Sequence, residues 1–306
     1  MIHLLVSLIQ VLVLLLVPPL LLGCINKTKA WCAGRRGPPL CQAYYDLAKL
    51  MRKGAVLSQT TTWVFPFGIS VGLATAIVAG LIIPLGQPMA PLSFAGDLVL
   101  FAYVLAVGRF FTMAAALDTG SAFEGMGAAR EATYACLAEP VLFLGLLVLV
   151  KLTGSLSMAE LLGGSLIGEW SVAGAAMLLV LVSWFIVLLV ENCRIPFDDP
   201  NTHLELTMIH EVMVLDHSGP AFGMVLYGAS IKLFVFAALV VRLTIPLETG
   251  FVLLDWGLFF LGLLLVAICI GVVESVMARL RLIAIPNLLV GAGVLSAFGV
   301  VLVLAH

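Results

Sequence analysis

Apolar runs of about twenty residues recur along the whole 306-residue chain, and this feature narrows the fold more than any other. A helix of roughly 20 apolar residues crosses the hydrocarbon core of a bilayer with its backbone hydrogen bonds satisfied internally. Repeated runs of that length predict an all-α polytopic membrane protein. Only 10% of the residues are charged, far below the roughly 25% of soluble domains. That excludes a soluble globular domain, a coiled coil and a disordered chain. Eight spans are expected within one integral membrane domain covering residues 1–306: about Ile2–Gly23, Thr62–Pro84, Asp97–Ala116, Glu131–Leu152, Trp170–Val190, Ala221–Ile245, Phe251–Val273 and Ala284–Leu304. No basic stretch precedes the first run, so it reads as a helix rather than a secretory signal.

Lysine and arginine set the orientation. Loop one holds Lys27, Lys29, Arg35, Arg36, Lys49, Arg52 and Lys53, and the later odd loops add Arg130, Arg194, Arg279 and Arg281. The even loops hold Lys151 and Arg242. The positive-inside rule places the odd loops in the cytoplasm and both termini outside, in the cell (inner) membrane. Acids crowd the same side: Asp46, Asp118, Glu124, Glu131, Glu191, Asp198, Asp199, Glu205, Glu211, Asp216 and Glu274. Topology does not require them, because Asp and Glu contribute little to it. Something on the cytoplasmic face therefore uses carboxylates. No basic tract suggests nucleic acid, and no fixed-period repeat supports an inverted-repeat transporter.

The six cysteines lack the close pairs of a zinc or iron–sulfur site; the nearest, Cys24, Cys32 and Cys41, are eight and nine residues apart. Reduced cysteines and no metal centre in this chain are expected. In loop one, Pro38-Pro39 starts and Gly54 ends a short helix whose Leu40, Tyr44, Leu47 and Met51 share an apolar face. Physics favours a helix lying on anionic lipid headgroups; a lid along a cavity mouth is the sharper alternative.

Loop three runs from Asp118 to Glu131 and carries three glycines and a serine, which predicts unusual backbone conformations. It lacks the nucleotide P-loop pattern. Glu131 and Glu139 follow at the start of a span, where a carboxylate is costly and implies an ion-path or cavity role by default. Loop five, Glu191 to His217, is the densest in polar groups. Asn201 is placed to cap a helix reaching about His217. On such a helix His203, His210 and His217 share nearly one face, and Glu205 and Asp216 are nearly in phase. A proton relay is one reading of that row. The spacing disfavours a metal and favours a solvated face that meets a soluble partner. Within the spans, Arg109 and Lys232 are central, and buried cations there are paired or line a water-filled path. Pairing structural acids and a functional role both stay open for them. Asp255 sits near a span end and is expected to face water.

Three segments carry a resemblance. Loop five, ENCRIPFDDPNTHLELTMIHEVMVLDHSGP, and loop three with span four, DTGSAFEGMGAAREATYACLAEP, resemble the membrane-anchor subunit of energy-converting nickel–iron hydrogenases of the formate hydrogenlyase type. That branch is related to the quinone-site membrane subunit (subunit 1) of respiratory complex I. Gln42, Asp46, Lys49 and Lys53 match the complex I segment Q-x3-D-x2-K-L-x2-K. Arg130 and Glu139 resemble that family's arginine and buried glutamate, and Arg194-Ile-Pro-Phe-Asp198 resembles its R-x-P-F-D. Asn201 and His203 stand where complex I has acids, the stretch from Glu205 to Gly219 is longer, and Gly54 replaces an acid. These departures favour the hydrogenase branch over quinone binding.

The resemblance implies a membrane-anchor and coupling subunit rather than a catalytic one. Hydrogenase-type large and small subunits would carry the nickel–iron centre and iron–sulfur clusters, with antiporter-like membrane subunits alongside. It implies an ion path through Glu131, Glu139, Glu191, Asp198, Asp199, Glu205, Glu211 and Asp216. Arg109, Arg130, Arg194 and Lys232 would be charge partners, and Gln42, Asp46, Lys49 and Lys53 an arm-docking or cavity segment. It assigns Glu124 no role. Local chemistry adds that Arg194 is placed to fold back on Asp198 and Asp199. The rivals are a quinone-site subunit of a complex I-type oxidoreductase and a free-standing ion transporter.

Overall fold

A computed structural model describes residues 2–87, 89–164, 166–198, 208–246 and 249–305. Every regular element among the described residues is helical. The first apolar run forms α1 (Ile2–Leu16) and α2 (Pro18–Cys32), bent by 46° at their junction. Pro18 and Pro19 have no N–H to donate, and the Leu20 N–H turns to the Val17 carbonyl at 2.9 Å. The Leu15 carbonyl instead accepts from the Tyr227 hydroxyl at 2.6 Å. The Leu16 carbonyl accepts from the Tyr44 hydroxyl.

Loop one holds α3 (Gln42–Met51). The remaining long helices are α4 (Val64–Ile82), α5 (Asp97–Asp118), α6 (Ala122–Thr153), α8 (Leu166–Glu191), α9 (Gly219–Thr244), α10 (Val252–Val276) and α11 (Ala284–Ala305); α7 (Met158–Leu161) is a single turn. These seven are long and apolar enough to cross a membrane, and the bent α1–α2 pair counts as an eighth span. The chain is a multi-pass membrane protein. α4 packs along α5 and α9, α11 against α6 and α8, and α10 against α2. α9 is the most enclosed, with every residue from Leu233 to Leu243 buried. The outer helices leave Leu261, Leu265, Phe298 and Val301 exposed, as lipid-facing surfaces require.

Two loops differ from the sequence expectation. α6 begins at Ala122, so most of the glycine-rich loop three is helical. Gly120 has φ +70° and makes the turn before it. Gly127 is helical, and a Cβ there would lie 2.3 Å from Val212 Cγ1. It allows loop five to approach closely and supplies no unusual conformation. In loop five, Met208–Ser218 carry one regular element, a 3-10 helix at Glu211–Val214, in place of the α-helix expected to reach His217. The Asp198 Oδ2 accepts from the backbone N–H groups of Ile209 (2.9 Å) and His210 (3.3 Å). This tertiary anchor overrides the local helix signal. Residues 199–207, which include Asp199, Asn201, His203 and Glu205, lie outside the described residues.

Candidate functional site

A cavity of about 460 Å³ opens among α2, α3, α4, α5, α9 and loop five. Its floor is charged. Arg109, on α5, reaches carboxylates from two other helices. Its Nη2 donates to both oxygens of Glu191 at 2.6 and 2.7 Å, its Nη1 to Glu139, and its Nε lies 3.6 Å from Glu131. From α9, Lys232 Nζ meets the second Glu191 oxygen at 2.8 Å. Three carboxylates and two cations thus share one cluster. The side chains of Arg109 and Glu191 are 7% and 5% exposed, and burying such charges is tolerable only because they are paired and hydrogen-bonded. The long apolar helices position the cluster: α5, α6, α8 and α9 each deliver one or two charged residues to the same level.

Loop five adds a second layer. Asp198 is buried and pairs with Arg279 at 2.8 Å. Glu211 and His210 line the cavity. Glu274, with no side-chain exposure, pairs with Lys29 at 2.7 Å and with Arg194 at 3.5 Å, tying α10 to α2 and to loop five. Glu124, which the sequence left without a role, is buried and accepts from the Asp216 backbone N–H at 3.0 Å, fastening the start of α6 to loop five.

Several expectations are corrected. Glu139 is not buried: its side chain is 40% exposed, and its cation is Arg109. Arg130 donates instead to the Met208 carbonyl at 2.7 Å. Arg194 does not fold back on Asp198; among the described residues its charged partner is Glu274. Of the histidine row, His203 lies outside the described residues, and His210 and His217 do not form a solvated partner face. His217 is buried and lies against Phe65 with ring centroids 4.1 Å apart, and burial pushes it down to about 4. Burial also lowers His210. Asp216 is exposed. On α3, Gln42 and Asp46 line the cavity, joined by a 2.9 Å hydrogen bond, while Lys49 and, just past the helix, Lys53 are exposed. α3 therefore forms part of the cavity wall.

The sequence singled out Arg109 and Lys232 through the cost of burying a cation. It gave no partner for either, and it assigned no role to Glu274 or Arg279. Their partners come from helices far apart in the chain, and no local pattern reports such pairings.

The NADH dehydrogenase family profile matches residues 4–305. Formate hydrogenlyase subunit 4 of Escherichia coli is 33% identical over 294 residues, covering 92% of each chain. Hydrogenase-4 component C of the same organism is 31% identical over 287 residues, covering 92% of this chain and 90% of the relative. A subunit of the NADH-quinone oxidoreductase of Rubrobacter xylanophilus is 28% identical over 207 residues, 65% of this chain and 62% of the relative. A chain of the membrane-bound sulfane sulfur reductase, an archaeal respiratory membrane complex, has the same fold, with a TM-score of 0.83 at 21% identity over 99% of this chain and all of that one. With the profile running almost from end to end and a third of the positions shared with the formate hydrogenlyase subunit, this chain belongs to the NADH dehydrogenase family.

Proposed function

We propose that this chain is the membrane-anchor and coupling subunit of a complex I-related, hydrogenase-type assembly. The observation that carries this reading is the charge cluster of Arg109, Glu131, Glu191 and Lys232 lining the cavity, with Glu139 joined to it through Arg109. Three carboxylates facing two cations leave one negative charge in a low-dielectric setting. Such a cluster answers a nearby change of charge by taking up or releasing a proton. The odd loops would lie in the cytoplasm and dock hydrogenase-type large and small subunits, which hold the nickel–iron centre and iron–sulfur clusters. Electron flow there would bias the cluster, which passes protons or sodium toward antiporter-like partner subunits.

The experiment is Glu191→Gln in membrane vesicles carrying the whole assembly, with electron transfer and ion translocation measured together. Normal assembly with ion translocation lost or uncoupled is the expected result. Wild-type translocation would remove the cluster from the path. Cross-linking mass spectrometry gives the sidedness: Lys49 or Lys53 should link to a soluble subunit, and links only to periplasmic components would reverse the topology.

A quinone site is the second reading, favoured by the apolar part of the cavity lining, where Leu22, Ile69, Leu73 and Leu233 suit an isoprenoid tail. Quinone co-purifying with the assembly, together with inhibition by quinone-site blockers, would select it.

A further inference from the structure

We propose that Glu131, Cys193 and His210 form a site for one divalent transition-metal ion of the zinc class. One ligand atom from each lies within 4.8 Å of the others. The three come from α6, from the turn after α8 and from the segment before the 3-10 helix. That dispersal hides the site from any spacing rule based on close pairs.

Three further observations converge there. A void of about 10 Å³ borders Glu131 and Cys193 and reaches Ile209, the residue before His210, close to the room one water or ion occupies. His210 Nδ1 is buried and makes no hydrogen bond among the described residues, so a ligand would satisfy a group that is otherwise costly to bury. Cys193 holds φ +49°, a conformation uncommon for a residue with a side chain and sustained only where its surroundings fix it.

The donor set selects the ion. One sulfur, one imidazole nitrogen and one carboxylate suit a borderline-soft cation such as Zn2+, whereas calcium and magnesium take oxygen ligands. The thiol gives its proton to solvent as the metal–sulfur bond forms, and the thiolate and Glu131 together balance the dication. Both Cys193 and His210 also line the large cavity, which gives the ion a way in. Glu131 is the carboxylate 3.6 Å from Arg109 Nε. An ion that ligates it competes with the charge cluster and so would brake coupling. That consequence rests on the proposed function; the binding does not.

The test uses the full-length, tag-free chain in detergent, titrated with Zn2+ against a fluorescent zinc chelator. One equivalent should bind, and Cys193→Ser and His210→Gln should each weaken it by about tenfold or more. Cys136→Ser, which alters an exposed thiol on α6, should leave it unchanged. The zinc X-ray absorption edge should show one sulfur ligand. Equal affinity in wild type and Cys193→Ser, or an edge without sulfur, overturns the proposal. Should either variant misfold, Zn2+ protection of wild-type Cys193 from alkylation, mapped by peptide mass spectrometry, decides alone. Protection supports the site, and alkylation at the metal-free rate overturns it.

Discussion

The Glu191–Lys232 contact lends itself to a double-mutant cycle. Lys232 Nζ sits 2.8 Å from Glu191 Oε2, and the two side chains are 22% and 5% exposed. At an effective dielectric near 20, two unit charges at that separation attract by about 6 kcal/mol. Desolvation offsets most of this, and a charge-assisted hydrogen bond is left with about 1.5–3 kcal/mol net. Glu191→Gln keeps the shape and a hydrogen-bonding contact to Arg109 but removes the charge that Lys232 meets. Lys232→Met removes the cation and keeps the apolar stem. Thermal unfolding of the solubilised assembly, followed by retention of this subunit on native gels, should show a lowered midpoint for each single variant. The double variant should be about as stable as the weaker single variant, because the second change has no contact left to break. Losses that simply add would mean that the contact carries no coupling energy and would refute the reasoning.

Three further outcomes follow from the geometry. Glu139→Gln removes a charge from the Arg109 cluster on a side chain that is 40% exposed, so the assembly should form normally and coupled turnover, measured in vesicles, should drop. His217 is held neutral by burial, at about 4 against an ordinary 6.5; its stabilising effect is complete above 6.5 and is lost as pH falls from there toward 4, so His217→Phe should flatten the acid side of the melting-temperature profile. Gly219 has φ +55°, and a Cβ there would lie 2.5 Å from the Gly54 carbonyl oxygen; Gly219→Ala should cost about 1–2 kcal/mol in backbone strain alone and speed proteolysis of loop one.

The spans were legible because lipid imposes one rule on the backbone, and twenty apolar residues satisfy it visibly. Arg109 and Lys232 were legible as costs, since a charge among apolar residues requires a reason, and Glu191 was legible as one of the acids of loop five. Which charge meets which was not legible. Arg109 and Glu191 are 82 residues apart, and only the packing of α5 against its neighbours brings them together. The resemblance offered Arg130 and Glu139 as an arginine and a buried glutamate nine residues apart, whereas Arg130 turns to the Met208 carbonyl and Glu139 meets Arg109 of another helix. The glycines of loop three misled for a related reason. A glycine that permits positive φ and one that permits close approach are the same letter, and Gly120 does the first while Gly127 does the second. In loop five the Asp198 carboxylate, holding the N–H groups of Ile209 and His210, decided a conformation that capping signals at Asn201 did not foretell.

The junction at Pro18 and Pro19 has a consequence for how such a chain drifts in sequence. Its two redirected carbonyls, at Leu15 and Leu16, depend on hydroxyls carried by α9 and α3. In hydrocarbon a bare carbonyl is penalised by several kcal/mol. Phenylalanine at Tyr227 would strand one acceptor, and an ordinary helix former at Pro19 would give the Leu15 acceptor a second donor and leave the Tyr227 hydroxyl redundant. The proline pair and the two tyrosines should therefore change as a set. A lineage that straightens the first span should lose both hydroxyls, and with Tyr44 it should also lose the clasp that holds the cavity wall against the membrane helices.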